Sequence, residues 1–151
     1  MAIGQSKLHE MLRRHRLMSE AVAWLEVFDT ATKRQVLDWV QKEQLTDKGV
    51  DADGNVIGYY SPVTEMITKG KKQAGAHYTL DDTGAFYRSM YVTVLRNALE
   101  IDANGDKGEE NLFEKYGQKI IGLTDESMAK LRQTVKERYI LIARKILFGN
   151  R

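Results

Sequence analysis

The sequence predicts an α+β fold: N-terminal helices, a small antiparallel β-sheet with short helices around it, and a long C-terminal helix. Three observations carry that expectation. Apolar residues recur at three- and four-residue steps near both ends of the chain, from Leu8 to Leu25 and from Met128 to Ile146. Between these stretches Met90, Val92 and Val94 alternate with Tyr91, Thr93 and Leu95, the period of a strand with two different faces. Turn formers crowd the middle of the chain, at Asp53-Gly54-Asn55 and at Asn104-Gly105-Asp106-Lys107-Gly108. With 151 residues the chain reads as a single domain, 1–151. Its parts are a helical stretch over 1–46, an α+β core over 47–123 with an exposed basic loop at 69–77, and the C-terminal helix over 124–149.

Ser6 is placed to cap a first helix reaching about Phe28, with Leu8, Met11, Leu12, Met18, Val22 and Leu25 as its apolar stripe and His15 interrupting it. Asp29-Thr30 is a second capping pattern, and Val36, Trp39 and Val40 carry a new stripe toward Leu45. Asp53-Gly54-Asn55, flanked by Val50 and Val56-Ile57, predicts a tight turn. Ser61-Pro62 opens a helix, with serine as the cap and proline at the position whose N–H needs no partner. Gly70 and the Lys/Gly run to Gly75 end it in an exposed loop. Asp81 or Asp82 is expected to cap a short helix through Ser89. A hairpin turning at Arg96-Asn97 follows, its second strand carrying Leu99, Ile101 and Ala103. Residues 104–108 read as an exposed loop, and Asn111 to Tyr116 as a short helix stopped by Gly117.

Thr124 caps the last helix, with Asp125 and Glu126 in the first turn where carboxylates suit the helix dipole. Its stripe of Met128, Leu131, Val135, Tyr139, Ile142 and Ile146 widens at the end through Ile140, Leu141, Leu147 and Phe148. A helix apolar nearly all round is buried on more than one side. Tyr139, Ile142, Ile146, Leu147 and Phe148 are therefore expected to meet a second copy of the chain.

Composition excludes more chemistry than it suggests. The absence of cysteine removes disulfides, thiolate catalysis and cysteine–zinc sites. The N-terminal residues lack the apolar segment of a secretory signal, and no apolar run approaches the roughly 18 residues of a membrane span. The chain is accordingly expected to be made in the cytoplasm and to have no membrane partner. A calcium loop starting at Asp102 fails because Lys107 takes the place of the glycine and Phe113 that of the bidentate glutamate. A loop starting at Asp51 fails at Val56. His9, His15 and His77 are too scattered for zinc, and His9-Glu10 is followed by Arg13 where a zincin needs its second histidine. Ser61, Ser89 and Ser127 lack a nucleophile elbow, and Gly70-Lys71-Lys72 lacks the rest of a phosphate loop. The sequence predicts neither catalytic residues nor a cofactor or metal.

The net charge of +2 gives no global attraction to nucleic acid, so any such preference rests on local clusters. Two exist: Arg13, Arg14 and Arg16 on the first helix, and Lys69, Lys71 and Lys72 in the loop. Either set can meet phosphates. A small DNA-binding protein using both is one reading of the chain.

A pattern of longer range runs through Gly58, Tyr59, Ser61, Pro62 and Thr64, then the Lys-rich segment, then Leu80, Asp82, Thr83, Gly84, Phe86 and Ser89, then the hairpin from Met90 to Ala103. With Glu114-Lys115-Tyr116-Gly117 it resembles the virion morphogenesis proteins of tailed bacteriophages, also described as minor tail, tail-completion, neck or head–tail connector components. The resemblance implies a structural component acting by assembly, not by catalysis. It implies a homo-oligomeric ring located in the virion, contacting portal, neck or tail proteins and lying around a DNA channel. On that reading Lys69, Lys71 and Lys72 face a partner or DNA. Ser61, Pro62, Asp82, Thr83 and Gly84 form the structural motif that returns the basic loop to the sheet.

Overall fold

A computed structural model describes residues 9–10, 13, 20–95 and 98–148, with the side chains of 20–23 left aside. The Ser6 cap, the stripe from Leu8 through Val22, Arg14, His15, Arg16 and the turn at Arg96-Asn97 lie outside the described residues. Within them the fold is mixed, with helices first, two small antiparallel sheets in the middle and a long helix last.

Helix α1 covers Glu20–Val27 and α2 covers Thr30–Asp38. Asp29 separates them as the α2 N-cap, its carboxylate accepting from the Thr32 N–H at 2.9 Å. The chain then continues as a π-helix over Trp39–Lys48, not as the α-helix that the stripe suggests. The reason is visible in what it buries. Trp39 with Gln44 and Val40 with Leu45 stand five apart, the hydrogen-bond spacing of a π-helix, and all four are buried. Gly49 ends it in the left-handed region at φ 62°, donating to the Gln44 carbonyl.

The Asp53-Gly54-Asn55 turn forms. Val50 bridges Val56, and the Asp51 carboxylate accepts from the N–H groups of Asp53 and Asn55 at 2.9 Å each. Helix α3, Pro62–Ile67, has Ser61 as its N-cap, accepting from the Thr64 N–H at 3.2 Å. Helix α4 covers only Ala85–Ser89, and neither Asp81 nor Asp82 caps it. The N-cap is Gly84 at φ 74°, and the Thr83 hydroxyl accepts from the Ala85 N–H at 3.3 Å. The helix starts too late for Asp82, which pairs with lysines instead.

Strands β1 (Tyr91–Val94) and β2 (Leu99–Asp102) pair antiparallel, with Val92 opposite Ile101 and Val94 opposite Leu99. The expected loop at 104–108 is in part a second ribbon, β3 (Asp106–Lys107) against β4 (Glu110–Asn111). Its entry is buried: a Cβ on Gly105 would stand 2.5 Å from the Phe113 ring. Asn111 caps α5, Leu112–Tyr116, which Gly117 ends at φ 84° before a 3₁₀ turn over Gln118–Ile121. Helix α6, Asp125–Phe148, begins at Thr124, whose hydroxyl accepts from the Ser127 N–H at 3.2 Å.

Two apolar clusters hold these elements. One gathers Val40, Leu45, Leu80, Phe86, Met90 and Ile120 among its buried members. The other joins Val27, Phe28, Val36, Trp39, Val92 and Leu131. Leu37, Ile101 and Leu123 pack against both and make the core continuous. Helix α6 buries only Ser127 and Leu131 in its length. Its apolar end is not fully enclosed by the described residues: Tyr139, Ile140, Leu141 and Phe148 are exposed, while Ile142, Ile146 and Leu147 are half-buried.

Candidate nucleic-acid interface

The most distinctive surface is an arm over residues 58–78. Its two sides zip together by main-chain hydrogen bonds. Tyr78 N donates to the Gly58 carbonyl at 2.8 Å, Tyr60 N to Ala76 at 2.8 Å and Gly75 N to Tyr60 at 2.9 Å. Helix α3 and the basic loop form its tip. Tyrosines root it in the body. The Tyr60 and Tyr78 rings meet edge to face at 4.8 Å, and Tyr78 reaches Tyr116 at 5.9 Å. The Tyr60 hydroxyl accepts from the Thr79 N–H at 3.2 Å, and the Tyr87 hydroxyl donates to the Thr79 carbonyl. Burial pushes the Tyr87 phenol up to about 12. His77 Nε2 lies 2.9 Å from the Thr46 carbonyl, tying the returning side to the π-helix.

The loop is built, not merely long. The Glu65 carboxylate accepts from the Ala74 N–H at 3.0 Å and closes it across nine residues. Lys69 turns the chain at φ 53° and Gly70 at φ 78°. The three lysines then part company. Lys72 is half-buried, 5.5 Å from the centre of the Tyr60 ring and 3.4 Å from the Asp82 carboxylate. Asp82 also binds Lys107 at 3.2 Å, and these two cations, Lys107 first, hold its carboxyl below the usual carboxylate range. Lys69 and Lys71 are exposed and form no ion pair among the described residues. Beside them α3 presents Val63, Met66 and Ile67, the last two more than 70% exposed. The arm thus offers two free ammonium groups next to an apolar patch, a surface suited to phosphates and to a neighbouring macromolecule.

Other expected residues fall elsewhere. Of the arginine cluster, Arg13 is described and exposed. Ser61 and Pro62 start the helix at the arm's tip, while Asp82, Thr83 and Gly84 follow its base, where Asp82 fixes the loop through Lys72. Tyr139, Ile142, Ile146, Leu147 and Phe148 lie together on the last turns of α6. Sequence reasoning did not find Lys107, because only the β3–β4 ribbon brings it to Asp82. Among the described residues no group of three His, Asp or Glu is placed to hold a metal ion, and no helix is long and apolar enough to cross a membrane.

The arm's exposed surface is basic and apolar at once. The chain's relatives carry a particular name. Over 92 residues, 60% of this chain, the sequence is 32% identical to the large ribosomal subunit protein uL13 of Nostoc sp. and to that of Trichormus variabilis. The uL13 of Microchaete diplosiphon matches to the same extent. The chain spans 56% of the length of these curated relatives. No protein-family profile and no solved structure matches it.

These relatives overturn the bacteriophage reading. They bear the name of a ribosomal subunit protein, so the virion location, the ring and the portal, neck and tail partners fall, as does DNA in a channel. The DNA-binding alternative built on Arg13, Arg14, Arg16, Lys69, Lys71 and Lys72 gains nothing from them. It is weakened further by the engagement of Lys72 with Asp82. The physical reason for the error lies in the motif. Leu80 to Ser89 encodes a bend, with Leu80 at φ 56° and Gly84 at φ 74°, followed by one helical turn. That is a local conformational solution which unrelated folds can share. The relatives are named for a structural assembly and not for a reaction, in keeping with a non-enzymatic class.

Proposed function

We propose that this chain is a non-catalytic structural protein that binds ribosomal RNA as a component of the large ribosomal subunit. The observation that carries the reading is the 32% identity over 92 residues to proteins named uL13. The arm supplies the physics. Lys69 and Lys71 approach the phosphate backbone, Tyr60 and Asp82 hold Lys72 as the arm's internal brace, and Val63, Met66 and Ile67 pack against a neighbouring surface. Docking of this kind uses charge for attraction and a rigid apolar anchor for position. On this reading the α6 end, where Tyr139 and Phe148 are exposed, makes a second contact with the surrounding particle.

Fluorescence anisotropy of a labelled ribosomal RNA fragment, repeated across a salt series, tests the reading. Binding weakens linearly in log salt, and Lys69→Ala/Lys71→Ala lowers the slope by about 2, one per lost phosphate contact. Tight binding that the double variant leaves unchanged would contradict the role given to the arm.

A further inference from the structure

The β1–β2 hairpin is two strands wide, and among the described residues β2 has no neighbour but β1. Leu95 N donates to the Ala98 carbonyl at 2.8 Å, which fixes the alternation along the ladder. Thr93–Glu100 and Tyr91–Asp102 are then hydrogen-bonded pairs, and Leu99 and Ile101 turn their main-chain N–H and C=O groups away from β1. No described residue pairs with those four outward groups. An open edge of this kind is a template for a further strand.

The space beside the edge is apolar. Two adjoining cavities of about 260 and 410 Å³ lie between β2 and the first half of α6, sharing Leu99, Met128 and Leu131. The first extends to Trp24 and Phe28, the second to Ile121. Among the described residues Arg132, at the first, is the one charged residue lining either, so a cation does not fit within the groove. On the opposite face of β2 the residues are acidic: Glu100 is exposed and Asp102 is half-buried. A second copy of β2 laid alongside would set these carboxylates against their own kind.

We propose that β2 receives an extended segment of another protein in which apolar and basic residues alternate. The segment pairs with Leu99 and Ile101 as a third strand. Its apolar side chains enter the groove over Met128 and Leu131, and its basic side chains lie beside Glu100 and Asp102. Main-chain pairing with alternate pockets is the physics of strand addition, and the charge pattern selects the partner.

Hydrogen exchange of the full chain, followed by NMR with the peptide acetyl-Lys-Val-Lys-Val-Lys-Val-amide, tests this. The Leu99 and Ile101 amides should exchange at least tenfold more slowly with the peptide. The same peptide with methylated valine nitrogens should give no protection. Glu100→Lys should weaken binding at least fivefold, without touching the core. Three results would overturn the proposal. One is absence of protection at millimolar peptide, and another is equal binding of the methylated peptide. The third is protection already present in the free protein, whether from its own chain or, with a doubled mass, from a second copy.

Discussion

Gln44 Oε1 accepts a hydrogen bond from the main-chain N–H of Thr124 at 3.0 Å, while its Nε2 donates to the Gly122 carbonyl at 2.8 Å. Gln44 is 1% exposed, so one buried amide clamps the π-helix to the start of α6. The wider turn of the π-helix aligns Gln44 with Trp39 on the buried side, where an α-helix would rotate it away. Gln44→Leu keeps the volume but leaves a buried donor and a buried acceptor without partners. The expected cost is about 2–6 kcal/mol, given roughly 1–3 kcal/mol for each such group. Urea denaturation should show a lower midpoint with an unchanged slope.

Gly105 is the second point at which packing decides. It is buried, and a methyl group there would enter the Phe113 ring. Gly105→Ala should destabilise by about 1–3 kcal/mol, as overpacking does. Gly108→Ala, in the same ribbon, has open space around the new methyl but a φ of 69°. Its smaller loss, about 1 kcal/mol, would come from the backbone alone. Thermal denaturation of the pair separates steric from conformational cost.

Tyr87 links pH to the rooting of the arm. Its phenol is pushed up to about 12 by burial, against an ordinary value near 10. Between those values the unfolded chain releases the proton and the folded chain keeps it, so stability falls as pH rises from about 10 to about 12. Tyr87→Phe should flatten that part of the stability profile relative to the parent. It should also cost about 1–2 kcal/mol at neutral pH through the lost bond to Thr79. Ultraviolet titration of the folded protein should show a phenol that the variant lacks, ionising near 12.

Asp29 sets the acid side. Its carboxyl is held below the usual range by the hydrogen bonds from Thr32 and by the Arg138 guanidinium. A lowered folded value means that stability is fully present above the unfolded value of about 4 and is lost as pH falls from there through the lower folded value. Asp29→Asn keeps an N-cap but cannot attract Arg138. Its stability should fall less steeply than the parent's below about pH 4, measured by denaturant midpoints.

The fold was legible where local chemistry decides it. Asp29, Ser61 and Thr124 each cap the helix that their position predicts, because an N-cap bond needs only residues within three of itself. The hairpin pairing followed from strict alternation. What escaped was fixed by distant partners. The π-helix depends on burying Gln44 against Gly122 and Thr124, far along the chain, and a stripe read at the α-helical period cannot register it. The β3–β4 ribbon was hidden by its turn-like composition, and with it the meeting of Lys107 and Asp82. The same limit separates the three loop lysines. Only the folded arm shows that Lys72 is engaged by Tyr60 and Asp82 while Lys69 and Lys71 form no ion pair among the described residues. The family resemblance erred because its motif is a bend and a helix start, which carry conformation and not function.

Co-sedimentation is the sharpest test of the proposed membership of the large ribosomal subunit. Purified protein would be mixed with bacterial large and small ribosomal subunits that have been stripped of loosely held proteins by salt, then separated on a sucrose gradient. Stoichiometric association with the large subunit alone is expected, diminished by added salt and by Lys69→Glu/Lys71→Glu. Protein remaining at the top of the gradient, or spread equally over both subunits, would contradict it.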